Sequence, residues 1–340
     1  MGVKNGATVA AFENAFAEYV GARFAIALCN GTATLHTALV ALGVKPGDRV
    51  AVPPLTMSAT TMAVLQAGAV PKFVDVDPDR WLGAFGPRCA AWIPVSLYGL
   101  NWREAGALVI DDAAQTLRQH GGSAFTSYSF QASKILALGE GGMLVTDNEE
   151  LATKAREFSS LGYRMRADQS RIDPAILKSP TYERHHAMGW NYRMNDLTAA
   201  KGLEQLGHAY ALLHDRQACA AMYREAHAGC AWLTPQHVPE GWTHDYWAYA
   251  VAIAAGFAMD EEAHPFDFVA DAIARYGGER PYAAWRLTYQ EPAFRHLAPD
   301  GTCPVAESLQ PRLMQFQTNN LQSAERNAKA LRNAIREIGG

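Results

Sequence analysis

The sequence predicts an α/β protein built on a mostly parallel sheet, with a smaller α+β part after it. Three observations carry this reading. Short apolar runs alternate with helix-period segments through roughly the first 150 residues. A long helix-period tract then begins near residue 193. A differently composed stretch of strand and helix patterns closes the chain. With 340 residues, 49% of them hydrophobic, the chain has the size for two domains and the means to fill a large core.

The elements follow in order. Strand candidates run over 24–29, 49–52, 72–76, 91–96, 107–110, 126–130 and 143–146. Between the first two, Leu35, Ala38, Leu39 and Leu42 lie at i, i+3, i+4 and i+7, which is one face of a helix, and Gly43 stops it. The run SATTMAVLQAGA predicts the next helix, with Ser58 as N-cap and Gly68 as stop. Pro94 sits inside the fourth strand candidate, where it has no N–H for a ladder. The link over 98–107 is shorter than the roughly 10–12 residues that a parallel crossover with its helix needs, so it is predicted to be unusually lean.

After Arg193, the residues Leu197, Ala200, Leu203, Leu206 and Tyr210 recur every three or four positions and predict one long helix to about Arg224. HDYWAYAVAI predicts a strand, FDFVADAIARYGG a helix with a glycine stop, and SAERNAKALRNAIREI a closing helix capped near Ser323. No Gly/Ser linker intervenes. The expected division is 1–215 for the large part, including the helix from about 193, and 216–340 for the smaller one.

The formal net charge of −4 comes with no basic stripe and no acidic block, so nucleic acid is not an expected partner. Cys29, Cys89, Cys219, Cys230 and Cys303 are odd in number and show no CxxC spacing, which argues against a zinc site or a disulfide framework and for a reducing compartment. No run of about eighteen apolar residues marks a membrane span, and the N-terminus lacks an export pattern. A cytoplasmic protein without a bound metal is expected.

Four short stretches have the residue types for chemistry. In YSFQASKILALGEGG, Lys134 follows a strand and precedes Gly139, Gly141 and Gly142, which let the backbone approach a neighbour closely. In VIDDAAQ, Asp111 and Asp112 stand at the carboxyl end of a strand, where open α/β sheets place ligands. In CNGTAT, a strand turns into a helix whose free N–H groups suit a phosphate; neither GxGxxG nor GxxxxGKS is present. GWNYRMND mixes Trp190, Asn191, Tyr192 and Arg193 ahead of the long helix. Each alone also fits a plain role: a surface lysine, a capping aspartate, an ordinary βα turn, a capping asparagine. Together they supply what pyridoxal phosphate needs: donors for its phosphate, a carboxylate for its ring nitrogen and an amine for its aldehyde.

NGTATLHTAL, VPPLTMSATTMAVLQAGAVPKFVDVD, VSLYG, VIDDAAQ, YSFQASK, GEGGMLVTDNEEL and GWNYRMNDLTAAKGLEQL, in this order, resemble the DegT/DnrJ/EryC1/StrS aminotransferases. The resemblance implies the fold type I architecture: a mostly parallel seven-stranded sheet, a smaller C-terminal α+β domain, and a homodimer with shared active sites. It implies Lys134 as the Schiff-base lysine of pyridoxal 5'-phosphate (or its amino form), and Asp112 as partner of the ring nitrogen. Gln115 is implied on the ring-hydroxyl side. Ser129, Thr32 and Ala33 beside Gly31 are implied for the phosphate, and Asn191 from the neighbouring subunit for the same group. Where the family places an aromatic ring to stack on the cofactor, this chain has Met57, whose thioether also packs on rings.

The implied reaction moves an amino group from an amino acid, glutamate, to a keto-sugar carried on a nucleotide. Other readings are a family enzyme acting on a cyclitol or dehydrating its sugar, or a cofactor-binding regulator without catalysis. Dehydrating members are expected to replace the lysine with histidine, and Lys134 is present. Trp190, Tyr192, Arg193, His185 and His186 are candidates for the substrate, as are Arg280, Tyr282, Trp285 and Arg286 in GGERPYAAWRLTYQEP. Aromatic and cationic groups suit a sugar ring and a diphosphate, and equally a dimer interface.

Overall fold

The computed structural model describes residues 7–84, 88–104, 106–257, 264–298 and 303–339. In the first part, β1 (Phe24–Leu28) follows α1 (Ala7–Val20), then come α2 (Gly31–Leu42), β2 (Arg49–Val52), α3 (Ala59–Gln66), β3 (Val70–Phe73), β4 (Ala91–Trp92), β5 (Gly106–Asp112), β6 (Ser123–Ser129), β7 (Gly142–Thr146) and α4 (Glu149–Ser159). The strands form a seven-stranded sheet in the order β1-β7-β6-β5-β4-β2-β3. Its pairs are parallel except those of β7 with β1 and with β6.

Alternation along β1 shows how the sheet is covered. Ile26 and Leu28 face a core shared with Leu35, Leu39, Val64 and Ala152 of α2, α3 and α4. Ala25 and Ala27 face the other core, with Phe12 and Phe16 of α1. That second face also receives Ala199 and Leu203 of α5 (Asp196–Gly207).

The lean connection over 98–107 is real, and the link from β3 to β4 is similar. Among the described residues, no α-helix joins β3 to β4 or β4 to β5. Large side chains fill the space instead: Trp81, Tyr98 and Trp102 are almost wholly buried, and the Trp81 and Tyr98 rings meet edge to face at 6.3 Å. Pro94 shortens β4 to two residues, but its carbonyl still accepts the Asp112 N–H at 2.9 Å. β3 begins two residues earlier than the sequence reading places it. Pro71 lies within it, which is tolerated because β3 is the sheet's edge.

Two helix expectations need correction. The long helix is two: α5 and α6 (Ala209–Ala226) meet at His208, whose ψ of 2° is not helical. Ser58 does not cap α3, because it is itself in the helical region and its side chain makes no cap bond; the Ala59 N–H meets the Met57 sulfur at 3.1 Å instead. The final helix is capped near Ser323 as expected, by Asn320, whose Oδ1 accepts from the Ser323 N–H at 2.9 Å.

The second sheet has the order β10-β11-β9-β8, from β8 (Leu233–Pro235), β9 (Ala248–Ile253), β10 (Tyr282–Ala283) and β11 (Leu313–Gln317), all antiparallel. β9 starts four residues later than HDYWAYAVAI predicts, since Tyr246 has φ 48° and breaks the extended run. α7 (Pro265–Arg275), α8 (Pro304–Leu309) and α9 (Leu321–Ile338) complete the order. Tyr249, Val251 and Ile253 of β9 enter a core with α6, α7 and α9. Ala248, Ala250 and Ala252, on its other face, join the core of the large sheet. The two sheets therefore share one packed boundary. None of the described helices is long and apolar enough to cross a membrane.

Candidate active site

The carboxyl ends of β1, β5 and β6 lie along one edge of the large sheet, and a cavity of about 700 Å³ opens there. Gly31, Thr32, Met57, Asp112, Gln115, Ser129 and Lys134 all line it.

At the β1–α2 turn, the Asn30 side chain accepts from the Ala33 N–H at 2.8 Å and its carbonyl from the Thr34 N–H at 3.2 Å. The Ala33 N–H, expected among the phosphate donors, makes this cap bond, and Ala33 does not line the cavity. The N–H groups of Gly31 and Thr32 and the Thr32 hydroxyl have no partner among the described residues. Gly31 is required by close approach: a Cβ there would lie 2.8 Å from the Ser129 Cβ. The turn and the end of β6 thus face each other as a donor-lined cradle at a helix N-terminus.

Strand alternation separates the two aspartates that end β5. Asp112 faces the cavity, with Oδ2 accepting from the Thr60 hydroxyl at 2.8 Å and Oδ1 from the Ala114 N–H at 3.2 Å. Burial pushes its carboxyl up, while Thr60, Ala114 and the Lys134 charge hold it down. Asp111 is wholly buried and pairs with Arg118 at 2.7 Å. Gln115 Oε1 accepts from the Tyr98 N–H at 2.5 Å, and its amide nitrogen has no partner among the described residues.

Lys134 sits in a turn after β6, its N–H on the Gln131 carbonyl at 2.8 Å. Burial pushes its amine down, and the Asp112 carboxylate pulls it up. Its Nζ lies 4.8 Å from the centre of the Trp247 ring. The Trp247 indole N–H donates to the Ser133 carbonyl at 2.8 Å, and its ring stacks on Trp285 at 6.0 Å.

Trp247, Trp285, Tyr282, Arg216 and Thr60 also line the cavity. Of these the sequence reading named Tyr282 and Trp285 only. Nothing local marks Trp247: it lies 113 positions beyond Lys134 and arrives through the second sheet. Arg280 is not in the cavity, because it pairs with Asp267 and Asp271 on the surface.

The GWNYR segment also stays outside the cavity of its own chain. It runs along the free edge of β1: the Tyr192 carbonyl accepts from the Cys29 N–H at 2.7 Å, and Arg193 bridges to Leu28. Tyr192 meets His36 at 3.1 Å and stacks under Trp190, while Asn191 is exposed. His186 is exposed and touches Arg164 at 3.2 Å.

The residues present fit pyridoxal phosphate. The cradle of Gly31, Thr32 and Ser129 suits the phosphate, the buried Asp112 the ring nitrogen, the Gln115 amide the ring oxygen and the Lys134 amine the aldehyde.

The DegT/DnrJ/EryC1/StrS aminotransferase family matches residues 2–328. GDP-perosamine synthase from Caulobacter vibrioides is 34% identical over 319 residues, 87% of this chain and 81% of that protein. The spore coat polysaccharide biosynthesis protein SpsC from Bacillus subtilis is 34% identical over 275 residues, 74% of this chain and 69% of its own. Among solved structures, an aminotransferase from Psychrobacter cryohalolentis superposes with a TM-score of 0.84 at 25% identity, covering 98% of this chain and 93% of that one.

Proposed function

We propose, for a chain that belongs to the DegT/DnrJ/EryC1/StrS aminotransferase family and depends on pyridoxal phosphate, that it aminates a nucleotide-linked keto-sugar with glutamate as the amino donor. The observation that carries this reading is the convergence of Lys134, Asp112 and the free N–H pair of Gly31 and Thr32 on one cavity. The names of the relatives, a GDP-perosamine synthase and a spore coat polysaccharide protein, support a sugar as acceptor.

When bound, pyridoxal phosphate supplies an aldehyde that condenses with amines and a ring that accepts electrons. Lys134 would be the amine that holds the aldehyde, and its Nζ would be the base that takes the proton from the donor's Cα. A proton carrier must be partly neutral near pH 7, and burial moves this amine in that direction. Asp112 favours a protonated ring nitrogen through a charge-assisted hydrogen bond worth about 1.5–3 kcal/mol. Thr60 orients that carboxylate. Gly31, Thr32 and Ser129 would hold the phosphate, Gln115 the ring-oxygen side, and Met57 would lie beside the ring, all of them lining the cavity. Trp247 lies over the amine.

The active protein is a homodimer in this reading. Asn191 of the partner subunit completes the phosphate site, and Trp190, Tyr192, Arg193 and His186 of that segment contact the sugar substrate. The exposed position of Asn191 outside its own cavity supports this sharing. A division of the chain near residue 215 is supported by α6, which packs Leu212 and Leu213 on the first part and Ala220 and Tyr223 on the second.

The test is the donor half-reaction followed by the acceptor. Glutamate is expected to bleach the yellow protein and yield 2-oxoglutarate, and the aminated protein to transfer to a member of a panel of keto-sugar nucleotides. A colour unchanged by glutamate, or transfer to free keto acids only, overturns the proposal.

A further inference from the structure

On the wall of the cavity formed by the second sheet, one charge is unaccounted for. Arg216, on α6, is only 6% exposed, yet it lines the cavity. Its Nη1 donates to the Trp247 carbonyl at 3.0 Å and to the Thr318 hydroxyl at 3.0 Å. Both acceptors are neutral. Nε and Nη2 have no hydrogen-bond partner, and the guanidinium has no ion pair, among the described residues. Asp245 is near enough to be felt but is turned away, accepting the Leu117 N–H at 2.8 Å. Burial lowers Arg216 to about 10, so it remains charged at neutral pH.

A buried cation without a counter-charge is costly unless an anion arrives to meet it. A guanidinium held by one nitrogen presents its remaining N–H groups in a planar fork, the geometry that takes a carboxylate with two hydrogen bonds. The position also fits. Trp247 links the two cations: its ring lies against Lys134 Nζ at 4.8 Å, and its carbonyl is clamped by Arg216. Asn319, beside the N-terminus of the 18-residue helix α9, lines the same wall, and that helix end also favours negative charge.

We infer that Arg216 binds a carboxylate of the amino donor, so that the donor spans the cavity with its amine toward Lys134 and its carboxylate on the α6 wall. This deepens the reading above and rests on it for the identity of the donor, but the anion site stands on its own geometry.

Glutarate, a dicarboxylate with neither amine nor carbonyl to react, is the probe. Its binding to the holoenzyme is measured by calorimetry, with UDP titrated separately as a diphosphate probe. Arg216→Gln is expected to weaken glutarate binding by about 10–100-fold. Arg216→Lys keeps the charge without the fork and is expected to fall between. UDP affinity should be unchanged in both. Circular dichroism checks the fold; if Arg216→Gln unfolds, the folded Arg216→Lys decides. Unchanged glutarate affinity in a folded variant, or a loss confined to UDP, overturns the inference. If glutarate binds through Arg216 while glutamate gives no 2-oxoglutarate, the proposed donor fails and the carboxylate site stands.

Discussion

The indole of Trp247 lies over the amine of Lys134, with the ring centre 4.8 Å from Nζ, and its N–H holds the carbonyl of the preceding Ser133 at 2.8 Å. One side chain from the second sheet thus both lies over the Lys134 amine and holds the turn that carries it. Replacing it tests the pairing. A cation–π contact of about 0.5–1 kcal/mol favours the charged amine, so Trp247→Leu should lower the Lys134 midpoint by up to about 0.7 pH units. The pH dependence of acylation of Lys134 in cofactor-free protein, read by peptide mapping, measures it. A midpoint that does not move would show that the ring leaves the amine's charge untouched.

Lys134 itself gives a covalent test. Borohydride treatment of the yellow protein should fix the cofactor on the peptide containing Lys134, and Lys134→Ala should abolish transamination while the cofactor still binds. Recovery of the label on another lysine removes Lys134 from the chemistry.

Two buried carboxyls outside the cradle set a pH dependence of stability. Burial pushes Asp111 up to about 6 against the pull of Arg118, and pushes Asp245 up to about 6. Each group in the unfolded chain releases its proton near pH 4, whereas the folded protein retains it to about pH 6. The folded state thus binds more protons across this window, and these two groups lower stability as pH rises through it. Asp245→Asn keeps an acceptor for the Leu117 N–H and should remove one proton's share of the slope. Denaturant melts from pH 4 to 7 read the difference; an unchanged slope would mean Asp245 ionises normally.

Gly31 is set by contact with Ser129. Adding a methyl at Gly31 forces the turn and β6 apart, since its Cβ would be 2.8 Å from that of Ser129. Gly31→Ala should cost about 1–3 kcal/mol of stability and weaken cofactor retention. Thermal melts with and without added cofactor separate the two effects.

Glu13 and Arg156 form a buried pair at 3.0 Å behind β1, with Glu13 also taking the Ala27 N–H at 2.8 Å. Removing only Arg156, by Arg156→Met, should cost about 3–5 kcal/mol, and adding Glu13→Leu should recover part of it. Urea melts of the single and double variants measure both. A double variant no better than the single one would show that the Ala27 bond, not the ion pair, dominates.

Much of this protein was legible without coordinates. The parallel sheet was readable because its strands are short apolar runs between helix-period segments, and Asp112 because it ends such a strand. The cradle at Gly31 was readable because a βα turn exposes N–H groups whatever the rest of the chain does. Helix ends were harder. His208 splits a continuous apolar stripe that periodicity alone cannot divide, and a methionine sulfur replaces the expected cap of α3.

The position of Asp112 at the end of β5 could be read from the chain alone, because a residue's place at the end of a strand follows from its neighbours. Only the tertiary structure decided what surrounds it. Strand alternation sent Asp112 to the cavity and Asp111 to Arg118. The shared core of the two sheets brought Trp247 onto Lys134 and left Arg216 facing the same space. The Trp247–Lys134 contact joins residues 113 positions apart, and burial across such a distance is fixed by packing, which no local pattern records.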